Sequence, residues 1–82
     1  MDARHIERFI IENLLHDGTR QTISLDEPLV SSGLIDSLAM LRLIGFLEEE
    51  LGLTFADGDV TPENFETLRQ LLRFLERKQG KF

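Results

Sequence analysis

Apolar residues fall on a helical period in three stretches of the chain. Ile6, Phe9, Ile10 and Leu14 recur at i, i+3, i+4 and i+8, with Glu7, Arg8 and Glu12 off the stripe. This predicts an amphipathic helix over about 3–16, ended by Asp17-Gly18, where glycine suits a left-handed cap. A second helix should run over about 37–51 and stop at Gly52. Leu68, Leu71, Leu72 and Leu75 repeat at i, i+3, i+4 and i+7, so the last helix covers about 67–78 and residues 79–82 are a tail. Thr61-Pro62-Glu63 reads as the start of a short helix over about 61–66, with Thr61 as N-cap and Pro62 at the first helical position.

Between the first two helices the period disappears. Residues 17–36 hold Pro28, Gly33 and several Ser and Thr, the marks of a loop. Connections of this length are uncommon in compact domains and are usually functional. Leu25, Leu29, Val30, Leu34 and Ile35 should pin the loop to the core. Thr22-Ile23-Ser24-Leu25 alternates like a short strand, but nothing nearby would pair with it. The pattern as a whole is all-α: an irregular helical bundle of three main helices and one short one.

Length and charge narrow the function. With 82 residues the chain allows one small domain, here 1–82. Its core is marginal, nearly every large apolar residue should enter it, and little room remains for a deep catalytic cleft. Nine basic against 15 acidic residues give a net charge of −6, which opposes a nucleic-acid partner and suits a partner with a basic docking surface. No cysteine is present and only two histidines, so disulfides are excluded and the donor set for zinc is poor. The longest uncharged run is the eight residues Pro28 to Ile35, too short to span a membrane. The charged N-terminus does not resemble a signal peptide, so a cytoplasmic protein is expected.

The second helix carries two stripes. Met40, Leu43, Ile44, Leu47 and Leu51 form one face, assigned to the core. Leu38, Leu41, Arg42, Gly45 and Glu48 form another, apolar towards its N-terminal end. An extra exposed apolar face marks a partner surface; the alternative is a helix covered on both sides. Gly45 costs a helix about 1 kcal/mol relative to Ala, which suits either close approach by a partner or a tolerated glycine. Phe46 and Phe74 belong to the core or its edge.

Several chemistries fail on spacing. A hydrolase nucleophile elbow needs Gly two residues to each side of the serine, and Ser37 has Ile35 and Ala39 there. Asp57-Gly58-Asp59 hints at a calcium loop, but an EF-hand needs Gly where Pro62 stands, so these read as solvated loop acids. His5 and His16, at wrong spacing to share a helix face, read as surface residues.

At the start of the second helix stands Gly33-Leu34-Ile35-Asp36-Ser37-Leu38. Asp and Ser are preferred N-caps, and that alone accounts for the pair. A serine there also lies where backbone N–H groups and the helix dipole favour a phosphate. Together with Leu25-Asp26-Glu27-Pro28-Leu29, the run from Leu43 to Gly52 and the Thr61–Leu68 segment, this stretch resembles the acyl carrier protein family. The resemblance reaches from the first helix to about Lys78. It implies an acyl-carrier-like four-helix bundle. In the family, the serine of the Asp-Ser-Leu motif carries 4′-phosphopantetheine, whose thiol holds an acyl or aminoacyl group as a thioester. Ser37 matches that serine and Asp36 the acidic residue before it.

One departure sharpens the resemblance. The fatty-acid-synthesis branch has acidic residues early in the second helix, on its partner-facing side. The corresponding positions here are Ala39 and Arg42, and the acidic run begins only at Glu48. The chain therefore looks closer to discrete aminoacyl or D-alanyl carriers and to polyketide or peptide-synthetase carriers. Implied partners are a phosphopantetheinyl transferase, an adenylating ligase that loads the arm and a downstream enzyme that unloads it. Leu38, Leu41, Arg42, Gly45 and Glu48 are the expected partner face. The implied protein is a non-catalytic carrier and a monomer when free, and a start at Met1 with an end soon after the last helix favours a free-standing one. The rival reading is a small acidic helical interaction domain, without a prosthetic group, in which Asp36-Ser37 is only a cap.

Overall fold

A computed structural model describes residues 3–15 and 22–79. Four α-helices follow in order: α1 (Ala3–Phe9), α2 (Ser37–Leu51), α3 (Pro62–Phe65) and α4 (Leu68–Gln79). A π-helical turn, Ile10–Leu14, continues α1, and a 3-10 turn, Asp57–Asp59, precedes α3. No strand occurs among the described residues, and Thr22-Ile23-Ser24-Leu25 is irregular.

The boundaries of α2 agree with the pattern, and Gly52 closes it at φ +66, the left-handed conformation glycine adopts without strain. The first helix ends earlier than its period suggests. The Leu15 N–H donates to the carbonyl of Ile10, 3.1 Å away, and Leu15 is already extended. His16 and Asp17-Gly18 lie outside the described residues. In α4 the Thr67 Oγ1 accepts the Gln70 N–H at 3.1 Å, a side-chain cap that sets the start at Leu68. Thr61 stands at the N-cap position of α3, but its side chain makes no capping hydrogen bond.

The core draws on all four helices and the π turn. Ile6, Ile10 and Leu14 come from the first helix and its π turn, Leu43 and Leu47 from α2, Phe65 from α3, and Leu68, Leu71, Phe74 and Leu75 from α4. The loop adds Ile23, Leu29 and Ile35. Leu25, expected as an anchor, is exposed. The chain turns at Leu25-Asp26, and this residue is tied by its backbone instead, its carbonyl accepting the Arg69 N–H at 3.0 Å. Ile23 takes the anchoring role, and its N–H donates to Glu7 Oε2 at 2.6 Å.

The core face of α2 also shifts. Ala39, Leu43 and Leu47 are buried, while Met40, Ile44 and Leu51 are half-buried at its margin. The innermost row is thus i, i+4, i+8, headed by Ala39, which belongs to neither stripe. Phe46 is half-buried and stacks on Phe9, with ring centroids 3.9 Å apart. His5 is exposed and meets the Glu50 carboxylate at 3.5 Å. Asp59 is not a freely solvated loop acid: it accepts from the Ala56 N–H and from Lys78 Nζ, both at 2.8 Å. Lys78 also lies 5.5 Å from the centre of the Phe55 ring. No helix among the described residues is long and apolar enough to cross a membrane.

Leu47 and Leu41 share one helix with opposite surroundings, 0% and 66% exposed. Leu47→Ala should lower unfolding free energy by about 2–5 kcal/mol through the cavity it leaves. Leu41→Ala should stay within about 0.5 kcal/mol of wild type. Urea denaturation of both variants measures this, and equal destabilisation would contradict the facing of α2.

Candidate functional site

The site is built where the long loop turns into α2. Asp36 is extended, at φ −89 and ψ −175, and its Oδ1 accepts the Ala39 N–H at 2.8 Å. Its carbonyl accepts the Met40 N–H at 2.8 Å. Asp36 is therefore the N-cap of α2, and Ser37 is its first helical residue. Ser37 is exposed, and its hydroxyl is not the capping group. The N–H groups of Ser37 and Leu38 belong to the first turn, where a helix offers no internal acceptor.

The loop is shaped to bring Ser37 there. The Gly33 N–H donates to the Val30 carbonyl at 3.1 Å and the Ile35 N–H to the Leu29 carbonyl at 2.9 Å. Gly33 sits at φ +82, a conformation that costs other residues strain. Ser32 Oγ donates to the Pro28 carbonyl at 2.6 Å. With Leu29 and Ile35 both buried, this closed turn is anchored at each end.

A cleft of about 610 Å³ opens beside Ser37. Val30, Gly33 and Ile35 of the loop form one wall, Met40 and Leu41 of α2 another, and Val60, Thr61 and Pro62 the third. The walls are mostly apolar, and Asp36 and Ser37 complete the lining. The space lies between elements and is open to solvent, not a deep enclosed cavity.

The remaining expected site residues divide. Leu38 and Leu41 are 68% and 66% exposed, and Arg42 and Gly45 are exposed beside them. A Cβ on Gly45 would meet no atom within 4 Å, so no contact among the described residues requires glycine there. Glu48 differs: it is half-buried, and its Oε2 accepts the Phe55 N–H at 2.8 Å, closing the connection after α2. Ala39, matched to a partner-facing acidic position, is buried at 8% exposure.

Three carboxylates brace the surroundings, one of them, Asp59, expected only as a solvated loop acid. A hydrogen bond and the positive charge of Arg69 hold Asp26 below the usual carboxylate range; the pair is bidentate at 2.7 and 3.1 Å. A hydrogen bond from Lys78 does the same for Asp59. Glu66 is lowered by hydrogen bonds from the Ser31 hydroxyl and N–H and from the loop amides before it. No local pattern marks Glu66 as a loop acceptor, because its partners lie 35 and 36 residues earlier. No group of three or more His, Cys, Asp or Glu that could hold a metal occurs among the described residues.

A family model described as the phosphopantetheine attachment site matches residues 8–75. The chain belongs to the acyl carrier protein family. Acyl carrier protein AsbD of Bacillus anthracis is 33% identical over 73 residues, 89% of this chain and 74% of that protein. The probable acyl carrier protein PigG of Serratia sp. (strain ATCC 39006) is 26% identical over 61 residues, 74% of this chain and 70% of that one. Among solved structures, a chain of the Bradyrhizobium japonicum glycine:[carrier protein] ligase complexed with glycylated carrier protein superposes with a TM-score of 0.69 and 26% identity. That match covers 88% of this chain and 95% of the other. The four-helix architecture is thus the carrier fold, and the family's group is 4′-phosphopantetheine. The carrier residues at the loop–α2 junction fit such a group: an exposed hydroxyl, two first-turn N–H groups beside it and a carboxylate already occupied by the Ala39 N–H.

Because Asp36 and not Ser37 is the cap, the two should separate on substitution. Asp36→Ala should cost about 0.5–2 kcal/mol of stability, while Ser37→Ala should stay within about 0.5 kcal/mol of wild type. Thermal unfolding of the two variants checks this.

Proposed function

We propose that Ser37 is the phosphopantetheine attachment residue and that the chain is a single carrier domain, cytoplasmic and without catalytic activity of its own. The observation that carries the reading is an exposed Ser37 hydroxyl set by the Asp36 cap at the N-terminal end of a 15-residue helix. There the helix dipole and the first-turn N–H groups favour a phosphodiester. In the modification, Ser37 Oγ forms a bond to the phosphorus of the pantetheine phosphate. The pyrophosphate bond of coenzyme A breaks, its nucleotide leaves, and the serine proton passes to a base of the transferase. The attached arm supplies the thiol that carries cargo.

The cargo we infer is an aminoacyl or short acyl group loaded by an adenylating ligase and removed by a downstream transferase. Two observations support this. The structurally similar carrier is glycylated and bound to a glycine:[carrier protein] ligase. In addition, α2 carries Arg42 on its exposed face rather than an acidic residue. Leu38, Leu41, Arg42 and Gly45 form the docking face for these enzymes, with Arg42 disfavouring partners whose docking surfaces are basic.

Incubation with coenzyme A and a broad-specificity transferase should add one phosphopantetheinyl group, read by intact mass. Ser37→Ala should remain unmodified while folded; a modified Ala variant would disprove the assignment. Arg42→Glu should slow loading by the cognate ligase by at most several-fold, the scale of one exposed charge pair. The difference should shrink at high salt. Equal kcat/KM for wild type and variant at low salt would remove Arg42 from the docking face.

A further inference from the structure

The junction between α3 and α4 reaches back to the attachment loop through one residue. Glu66 is half-buried, and its Oε1 accepts the N–H groups of both Val30 and Ser31, each at 2.9 Å. Its own carbonyl accepts the Leu29 N–H at 2.7 Å. Three consecutive amides of the loop therefore end on a single residue of the opposite half of the molecule. From this clamp a short relay leads to the serine. Leu29 and Val30 accept the Ile35 and Gly33 N–H groups, and Asp36, next to Ile35, caps α2 through Ala39. The geometry of Ser37 is referred, through one closed turn, to the Glu66 carboxylate.

The clamp does something burial alone cannot. Ser31 is exposed and Val30 half-buried, so without the Glu66 carboxylate their two amides would find water at small cost, and the turn would gain conformations rather than unfold. An enzyme that binds the turn in one conformation then meets a smaller competent fraction, and its apparent affinity falls by that fraction.

We propose that Glu66 is a positioning residue for the modification of Ser37, holding residues 29–31 in the arrangement the phosphopantetheinyl transferase must dock against. This rests on Ser37 being the attachment residue. Glu66 touches neither Ser37 nor coenzyme A in this role. It acts on the encounter, so its loss raises KM for the carrier and leaves kcat unchanged once the complex has formed.

The test is steady-state transferase kinetics with coenzyme A on wild type, Glu66→Ala, Glu66→Asp, Glu66→Gln and Ser37→Ala. Ile6→Val, in the core of α1, serves as a control for lost stability. Glu66→Ala, and Glu66→Asp, whose shorter side chain falls short of the two amides, should raise KM roughly three- to tenfold, the scale of one or two net hydrogen bonds. Their kcat should stay at the wild-type value. Glu66→Gln keeps an acceptor oxygen at the same reach and should recover most of the loss, while Ile6→Val should leave KM unmoved. Should the Ala variant not fold, the contrast between Asp and Gln decides. Unchanged KM in Glu66→Asp and Glu66→Ala, or an equal rise in Ile6→Val, overturns the role of Glu66 alone. A wild-type chain that stays unmodified, or a modified Ser37→Ala chain, overturns the Ser37 reading and this one with it.

Discussion

A chain this short cannot fill a core with helices alone, and here a loop completes it. Small domains bury a low fraction of their surface, so each buried apolar side chain counts for much of a narrow margin. Ile23, Leu29 and Ile35 leave the loop to join Phe65, Leu68 and Leu71 in the buried core. The same segment that leads to the exposed Ser37 is thereby held by the core. Display and burial alternate along it: Leu29 in, Ser31 and Ser32 out, Ile35 in, Asp36 and Ser37 out. Lifting the loop would open the core, so Ser37 is exposed without being loose.

Polar contacts refine what burial begins. Asp26 with Arg69, and Glu66 with the amides of Val30 and Ser31, tie the loop to the first turn of α4 and to the junction between α3 and α4. Asp59 and Lys78 tie the other end of α4 to the turn before α3. None of these five charged residues lines the cleft beside Ser37, whose walls are mostly apolar, with Asp36 the one charged residue among them.

Much of this was legible in the sequence because it is local. The α2 boundaries follow from Asp36 and Gly52, and α4 from its leucine spacing. Ser37 follows from a motif in a recognisable frame. What was not legible depends on distant partners. Ile23 and Leu25 have the same strand parity, and only the turn at Leu25-Asp26 decides that one enters the core and the other does not. Ala39 lies between two apolar stripes and is small enough to be assigned to neither, yet its small side chain is in the innermost row of α2. Glu48 reads as a surface acid at the end of a stripe, but Phe55, seven residues on, takes its carboxylate for a backbone N–H. Glu66 carries no signal in its own neighbourhood at all.

The central claim is that the segment before Ser37 is fixed in the free carrier before any enzyme meets it. Site-resolved amide hydrogen exchange tests this directly at Leu29, Val30, Ser31, Ile35 and Ala39, whose N–H groups each have a named acceptor. The account predicts that Leu29, Val30, Ile35 and Ala39 are protected to a degree comparable with the interior amides of α2, with Ser31 protected less but above the rate of a random chain. Random-chain exchange at Val30, Ser31 and Ile35 while α2 stays protected would contradict it, and would mean that Ser37 is presented by a mobile loop.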